Sequence, residues 1–180
     1  LFSVVVLIGI LEWIGSSLPG GEPRELQLGL LREVRRILKP GGCAYVAIEN
    51  RFGALYWLGK PDPHAHIPFL SVLTRWLASR AMQFLRGKPY RTYTHSFGGL
   101  RELLQQAGFS SSEFYLPLPD YRHPEILIPL EGKEGAQYWV QSLSLPRRRI
   151  HYLYSLGIWL LSAVGLLKHL APDFCVIAKR

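Results

Sequence analysis

The feature that most constrains this chain is a strand, helix, turn and strand in immediate succession within residues 1–48. The run Leu1-Phe2-Ser3-Val4-Val5-Val6-Leu7-Ile8 is short, β-branched and closed by Gly9, the pattern of a strand covered on both faces. A bare chain end at such a strand would be a sticky apolar edge, so further strands are expected upstream of Leu1. Leu11-Glu12-Trp13-Ile14 opens a loop through Ser16-Ser17 and Pro19-Gly20-Gly21. Residues 24–38 have helical period, with Leu26, Leu30, Leu31, Val34, Ile37 and Leu38 as the inward stripe. Arg32, Glu33, Arg35 and Arg36 face water, and Lys39-Pro40-Gly41-Gly42 stops the helix in a turn. Cys43-Ala44-Tyr45-Val46-Ala47-Ile48 is a second interior strand, closed by the polar trio Glu49-Asn50-Arg51. The whole is a βαβ unit, which requires a parallel strand pair and a right-handed crossover.

The remainder alternates regular and irregular stretches. Residues 52–66 are rich in Gly, Pro and aromatics. Pro68 opens an expected helix to Arg86, with Phe69, Leu70, Leu73, Trp76, Leu77 and Phe84 inward and Ser71, Arg75, Ser79, Gln83 and Arg86 outward. Arg80 falls on the apolar side and must snorkel or meet an acidic partner. A helix over 97–107 is capped by Ser96 and ended by Gly108, and residues 112–118 read as a strand. Residues 119–150 have little regular period. Residues 152–167 are uncharged, between Arg147-Arg148-Arg149 and Lys168-His169. That stretch is shorter than the roughly twenty residues of a bilayer span, so a packed helix and a helix lying in the membrane plane are the better readings. Residues 174–178 form a last strand. The chain thus reads as one α/β domain over 1–180, with insertions at about 52–92 and 119–172.

Composition narrows the class. Hydrophobic residues make up 48% and charged residues 19%, which excludes a disordered chain. The two cysteines exclude a disulfide-stapled mini-protein. Cys43 and Cys175 start strands expected to be antiparallel, which separates them, excludes a disulfide and fits a reducing compartment. A formal charge of +8 admits nucleic acid, an anionic membrane surface or acidic small molecules as partners. Arg75, Arg80, Arg86, Lys88, Arg91 and the 147–149 arginines are interleaved with Trp76, Phe84, Tyr90 and Tyr152. Basic residues beside aromatics suit lipid headgroups and phosphate backbones alike, and the apolar helices favour lipid.

Ligands of open α/β sheets bind beyond the carboxyl ends of the strands. That rule selects Gly9, Leu11 and Glu12 after the first strand, and Glu49, Asn50 and Arg51 after the second. Each has a plainer role as a strand-ending turn or a solvated loop. In Asp62-Pro63-His64-Ala65-His66 an extended backbone would put Asp and both His side chains on one face. No fourth ligand is evident, so no metal is expected; His64 or His66 as a general base competes with a plain Pro-rich loop. Tyr93, Asp120, Tyr121 and Arg122 can stack on a sugar or bond hydroxyls and phosphates, or simply pack a loop.

Val6-Leu7-Ile8-Gly9-Ile10-Leu11-Glu12-Trp13-Ile14, the Leu31 to Gly42 segment ending Leu-Lys-Pro-Gly-Gly, and Leu103-Leu104-Gln105-Gln106-Ala107-Gly108-Phe109 before a strand form an ordered set. That set resembles the second half of a class I S-adenosylmethionine-dependent methyltransferase, over most of residues 1–118 and the terminal strand. The resemblance implies a Rossmann-like sheet of seven strands, with these as the fourth to the seventh. It implies S-adenosylmethionine as cofactor, with Gly9, Leu11 and Glu12 on its wall. The family's glycine-rich loop and ribose-binding acid would lie before Leu1, so this chain alone is expected not to bind the cofactor. Glu49-Asn50-Arg51-Phe52-Gly53, Tyr56-Trp57-Leu58-Gly59, Asp62 with His64, Arg91-Thr92-Tyr93-Thr94 and the 115–121 segment are similar to bacterial methyltransferases associated with surface polysaccharides. This implies a saccharide or lipid-linked saccharide acceptor, bound by Asn50, Arg51, Tyr93, Asp120, Tyr121 and Arg122. The location implied is cytoplasmic, peripheral at the inner membrane face. An RNA methyltransferase and a non-catalytic membrane or partner adaptor are the rival readings.

Overall fold

The computed structural model describes residues 1–18, 20–132 and 149–180. Strand β1 (Phe2–Ile8) leads through a 3₁₀ turn into α1 (Ile14–Ser17), then α2 (Pro23–Ile37) and β2 (Leu38–Glu49). There follow α3 (Ala54–Trp57), α4 (Arg75–Arg86), α5 (Phe97–Gln106), β3 (Ser111–Leu118) and β4 (Ile126–Pro129). Helices α6 (Arg149–Ala163) and α7 (Leu167–Leu170) precede β5 (Asp173–Lys179). The sheet is mixed, in the order β1-β2-β5-β3-β4. Strands β1 and β2 are parallel, as the βαβ pattern predicts, and β5 lies antiparallel between β2 and β3.

One face of the sheet carries the main core. Leu7, Val46, Ile48, Phe114, Leu116, Phe174 and Val176 pack there against Leu28, Leu31 and Val34 of α2 and Leu100, Leu103 and Leu104 of α5. Each fully buried side chain of this size stabilises the fold by about 1.5–3 kcal/mol relative to exposure. The opposite face holds a smaller cluster of Ala47, Tyr121 and Cys175, flanked by Tyr45 and Tyr115. Cys43 and Cys175 are both free, as expected. Helix α5 begins at Ser96, whose hydroxyl accepts from the Gly99 N–H at 3.2 Å, and Gly108 follows it with positive φ.

Several expectations are corrected. Within residues 1–180 strand β1 lies at the edge of the sheet, with Phe2, Val4, Val6 and Ile8 exposed. The Lys39-Pro40-Gly41-Gly42 segment is a bulge inside β2, because Phe2 pairs with Leu38 but Val4 already pairs with Cys43. Gly42 fits there because a Cβ would stand 3.0 Å from the Lys39 and Ser3 carbonyl oxygens. The inward stripe of α2 is rotated to Gln27, Leu28, Leu31 and Val34. Gln27 is buried because its amide is fully used: Nε2 donates to the Leu11 and Tyr93 carbonyls, and Oε1 meets His95 Nε2 at 2.7 Å.

The largest correction concerns residues 68–86. His66 and Phe69 adopt positive φ, Leu70–Val72 forms a 3₁₀ turn, and the helix starts only after the Thr74 cap. Its orientation is the reverse of the hydrophobic reading. Ala78 and Met82 face inward, while Trp76, Leu77, Phe84 and Leu85 are exposed, Phe84 at 89%. Arg75 causes the reversal, since its guanidinium runs inward to the carbonyls of Thr92 and Thr94 and stacks 3.6 Å from the Tyr93 ring centre. Arg80 lies over the Trp76 ring at 4.7 Å. Strand β4 was not expected within the 119–150 stretch; residues 133–148, including Arg147 and Arg148, lie outside the described residues. Among the described residues no helix is long and apolar enough to cross a membrane.

Candidate functional site

The carboxyl ends of β1 and β2 meet at a buried polar cleft. β1 ends at Gly9, whose φ of +60° turns the chain while its N–H donates to the Ala47 carbonyl. A side chain at Gly9 would come within 3.4 Å of the Tyr121 hydroxyl and 3.6 Å of Glu12 Oε1. The chain then enters the 3₁₀ turn of Leu11–Trp13, which sends Leu11 into the main core and Glu12 into the cleft. The Glu12 backbone is held because its carbonyl accepts from the Tyr93 N–H. Glu49 is the last residue of β2 and enters the cleft beside Glu12.

His64 arrives from a third segment. Asp62 is buried, and its Oδ1 accepts from the N–H groups of His64 and Ala65. Its Oδ2 accepts from Ser71 Oγ at 2.6 Å and from the Tyr90 hydroxyl at 2.7 Å. This turn replaces the extended geometry that would have set Asp62, His64 and His66 on one face. His64 points at Glu49, with Nε2 4.0 Å from Oε2, and the edge of its ring meets Trp13 at 4.7 Å between centres. His66 is exposed instead. Tyr121 closes the cleft by donating its hydroxyl to Glu49 Oε1 at 2.8 Å, and Arg122 lies over the Tyr121 ring.

The polar balance of the cleft is incomplete. Both carboxylate oxygens of Glu12, Oε2 of Glu49 and Nδ1 of His64 are buried without a hydrogen-bond partner. Burial and the neighbouring Glu49 push the Glu12 carboxyl up to about 7. Burial lowers the His64 pKa from its ordinary value, against the pull of Glu49 and Asp62. Asp173, paired across the sheet with Glu49, is also pushed up to about 7 by burial and by Glu49. Buried groups shifted by desolvation and a charged neighbour in a cleft are candidates for a functional site.

A cavity of about 350 Å³ opens beside the cleft, with Trp13, His64, His66, Arg86, Lys88 and Arg91 in its lining. His64 belongs to both spaces. Arg86 and Lys88 in its lining suit an anionic molecule, while Arg91 is engaged by the carbonyls of Gly15, Leu18, Gly20 and Gly21.

Not every expected site residue lies here. Asn50 is buried; its Nδ2 donates to the His169 and Ala171 carbonyls, and its Oδ1 accepts from the Phe52 N–H. Arg51 bonds the Ser71 and Leu73 carbonyls. Tyr93 lies beneath Arg75, and Asp120 accepts from the N–H groups of Arg122 and His123 to form a turn. These side chains hold loops in place, and of the six expected acceptor residues Tyr121 and Arg122 remain at the cleft. Trp13, Arg86 and Lys88 line the cavity without having been singled out for it; only their spacing to His64 in three dimensions reveals them. No family model matches the chain, and no curated protein matches it.

Proposed function

We propose that the chain is the carboxyl-terminal part of a Rossmann-like, class I S-adenosylmethionine-dependent methyltransferase acting on an acceptor hydroxyl. The observation that carries the reading is the convergence of Glu12, Glu49 and His64, buried and short of partners, beyond the carboxyl ends of two parallel strands. The antiparallel β5 beside β2 supports the same reading. For the cofactor, Gly9 and the half-exposed Ile10 at the end of β1 fit one wall of a cleft, Glu12 stands behind them, and Leu11 does not fit because it is in the core. When bound, S-adenosylmethionine supplies a methyl group that leaves sulfur as a carbon–oxygen bond forms.

The chain's own part is alignment and proton removal. The cavity seats the acceptor, with Trp13 as a stacking face and Arg86 and Lys88 pairing with anionic groups. The hydroxyl is directed past His64, and the unpartnered atoms of the cleft take its proton. Holding both reactants in line supplies most of the rate, and the base adds roughly 10²–10⁴-fold. A phosphorylated or lipid-linked saccharide fits these cations and aromatics. Helix α4 supports a membrane-bound acceptor: Trp76, Leu77, Phe84 and Leu85 face outward beside the exposed Arg80, Arg86 and Lys88, the composition of an interfacial helix on anionic lipid.

The test uses the protein translated from the whole reading frame, with methyl-labelled S-adenosylmethionine, saccharides, lipid-linked saccharides and RNA. Label in a saccharide, lost in Glu12→Gln and His64→Asn with the fold retained, is the expected result. Label in RNA would replace the acceptor class. No cofactor binding and no transfer would leave the adaptor reading standing and sink this one.

A further inference from the structure

We propose that Glu12, Glu49 and His64 bind one divalent first-row metal cation. One ligand atom from each residue lies within 4.8 Å of the other two. Metal–ligand bonds of about 2.0–2.2 Å put neighbouring ligand atoms about 3.0–3.5 Å apart, so side-chain torsions closing the set by roughly one ångström complete the site. Each group is already out of water: Glu12 is 0% exposed, and the side chains of Glu49 and His64 are 6% and 4% exposed. Four of their polar atoms have no partner. Folds rarely leave one such atom; a cation would bond the unpartnered Glu12 and Glu49 oxygens, with His64 Nε2, 4.0 Å from Glu49 Oε2, as the third ligand and Nδ1 turned to Asp62.

Charge points the same way. Two carboxylates stand together, and the nearby Arg122 is exposed and directed at the Tyr121 hydroxyl. A dication would neutralise the pair without further protein groups. The surroundings also match what a metal ligand needs behind it. Asp62 Oδ1 lies 3.9 Å from His64 Nδ1, and carboxylates in that position orient ligating imidazoles. Asp62 is itself fixed by Ser71 and Tyr90, and Glu49 by Tyr121. Two oxygen donors with one imidazole suit Mn²⁺ or Zn²⁺. Three protein ligands leave positions open toward the cavity, where a bound hydroxyl would be acidified by the cation.

The inference does not depend on methyl transfer, because binding is read on the chain without cofactor or acceptor. Mn²⁺ is the probe, since the free thiols of Cys43 and Cys175 compete poorly for it. Quenching of the free Mn²⁺ paramagnetic resonance signal should show one site per chain. Glu12→Gln and Glu49→Gln should weaken it by more than the roughly 10–100-fold that loss of an outer partner costs. The exposed His123→Asn should leave it unchanged, and circular dichroism establishes that each variant folds. A natively folded chain that binds no Mn²⁺ at millimolar concentration overturns the proposal. Binding that survives both glutamate substitutions does so equally.

Discussion

His95 should make the fold acid-labile, and by an amount the structure sets. Its ring is buried and donates from Nε2 to Gln27 Oε1, because the Gln27 amide nitrogen is already spent on the Leu11 and Tyr93 carbonyls. Burial, then the positive fields of Arg75, Arg24 and Arg51, depress its pKa from 6.5 to about 3, with the Tyr93 ring as its aromatic neighbour at 4.9 Å. No carboxylate is among the groups that shift it. The unfolded chain therefore takes up a proton as pH falls through 6.5, whereas the folded chain does not until about 3. Stability is complete above 6.5 and drains away below it, by about 2 kcal/mol at pH 5 and about 5 kcal/mol by pH 3. Against a typical total of roughly 5–15 kcal/mol that is a large share. Urea unfolding followed by the fluorescence of the five tryptophans reads it at pH 7 and pH 5. His64, also lowered, adds to the wild-type slope, so the informative quantity is the difference from His95→Gln, which keeps an amide donor. An unchanged pH slope in that variant would refute the argument.

Three further outcomes follow from particular contacts. Glu12 is raised from 4.5 to about 7, so the unfolded chain ionises first and stability is lost as pH rises between those values. With a chelator present at pH 8, Glu12→Gln should raise the unfolding free energy by up to about 3 kcal/mol, and a lower melting temperature would count against a buried, unpartnered carboxylate. Gly42→Ala sets a Cβ against three backbone oxygens within 3.2 Å and should destabilise by about 1–3 kcal/mol in urea titrations, as overpacking does. Trp76→Glu with Phe84→Glu should abolish sedimentation with vesicles containing about 30% phosphatidylglycerol; retained sedimentation would remove α4 as the lipid contact.

Local pattern reads the sheet and two helices well and the site poorly. The β-branched runs at 4–8 and 43–48, the Ser96 and Gly108 boundaries of α5 and the final strand are each written in adjacent residues. The orientation of α4 is not, because an arginine drawn inward by the Thr92 and Thr94 carbonyls outweighs the period of its leucines and aromatics. The same limit hides Gln27, whose burial depends on acceptors 16 and 66 residues away along the chain. Within the cleft, strand ends pointed to Glu12 and Glu49, and the alternating Asp62-Pro63-His64-Ala65-His66 run pointed to His64 and His66 alike, read as extended where the structure has a turn. Their meeting required the closure of three separate segments, which no spacing along the chain encodes.

Because β5 follows β3 and β4 in the chain yet sits between β2 and β3, the sheet is sewn shut from behind. Until residues 173–179 leave the ribosome, β2 and β3 present facing, unpaired edges, and the places of Phe174, Cys175, Val176 and Ala178, all 0% exposed, stand open. Pairing between such distant segments is slow and exposes strand edges to other chains. A stop a few codons before Asp173 would therefore remove the seam that joins β2 to β3 and leave both strands with an unpaired edge.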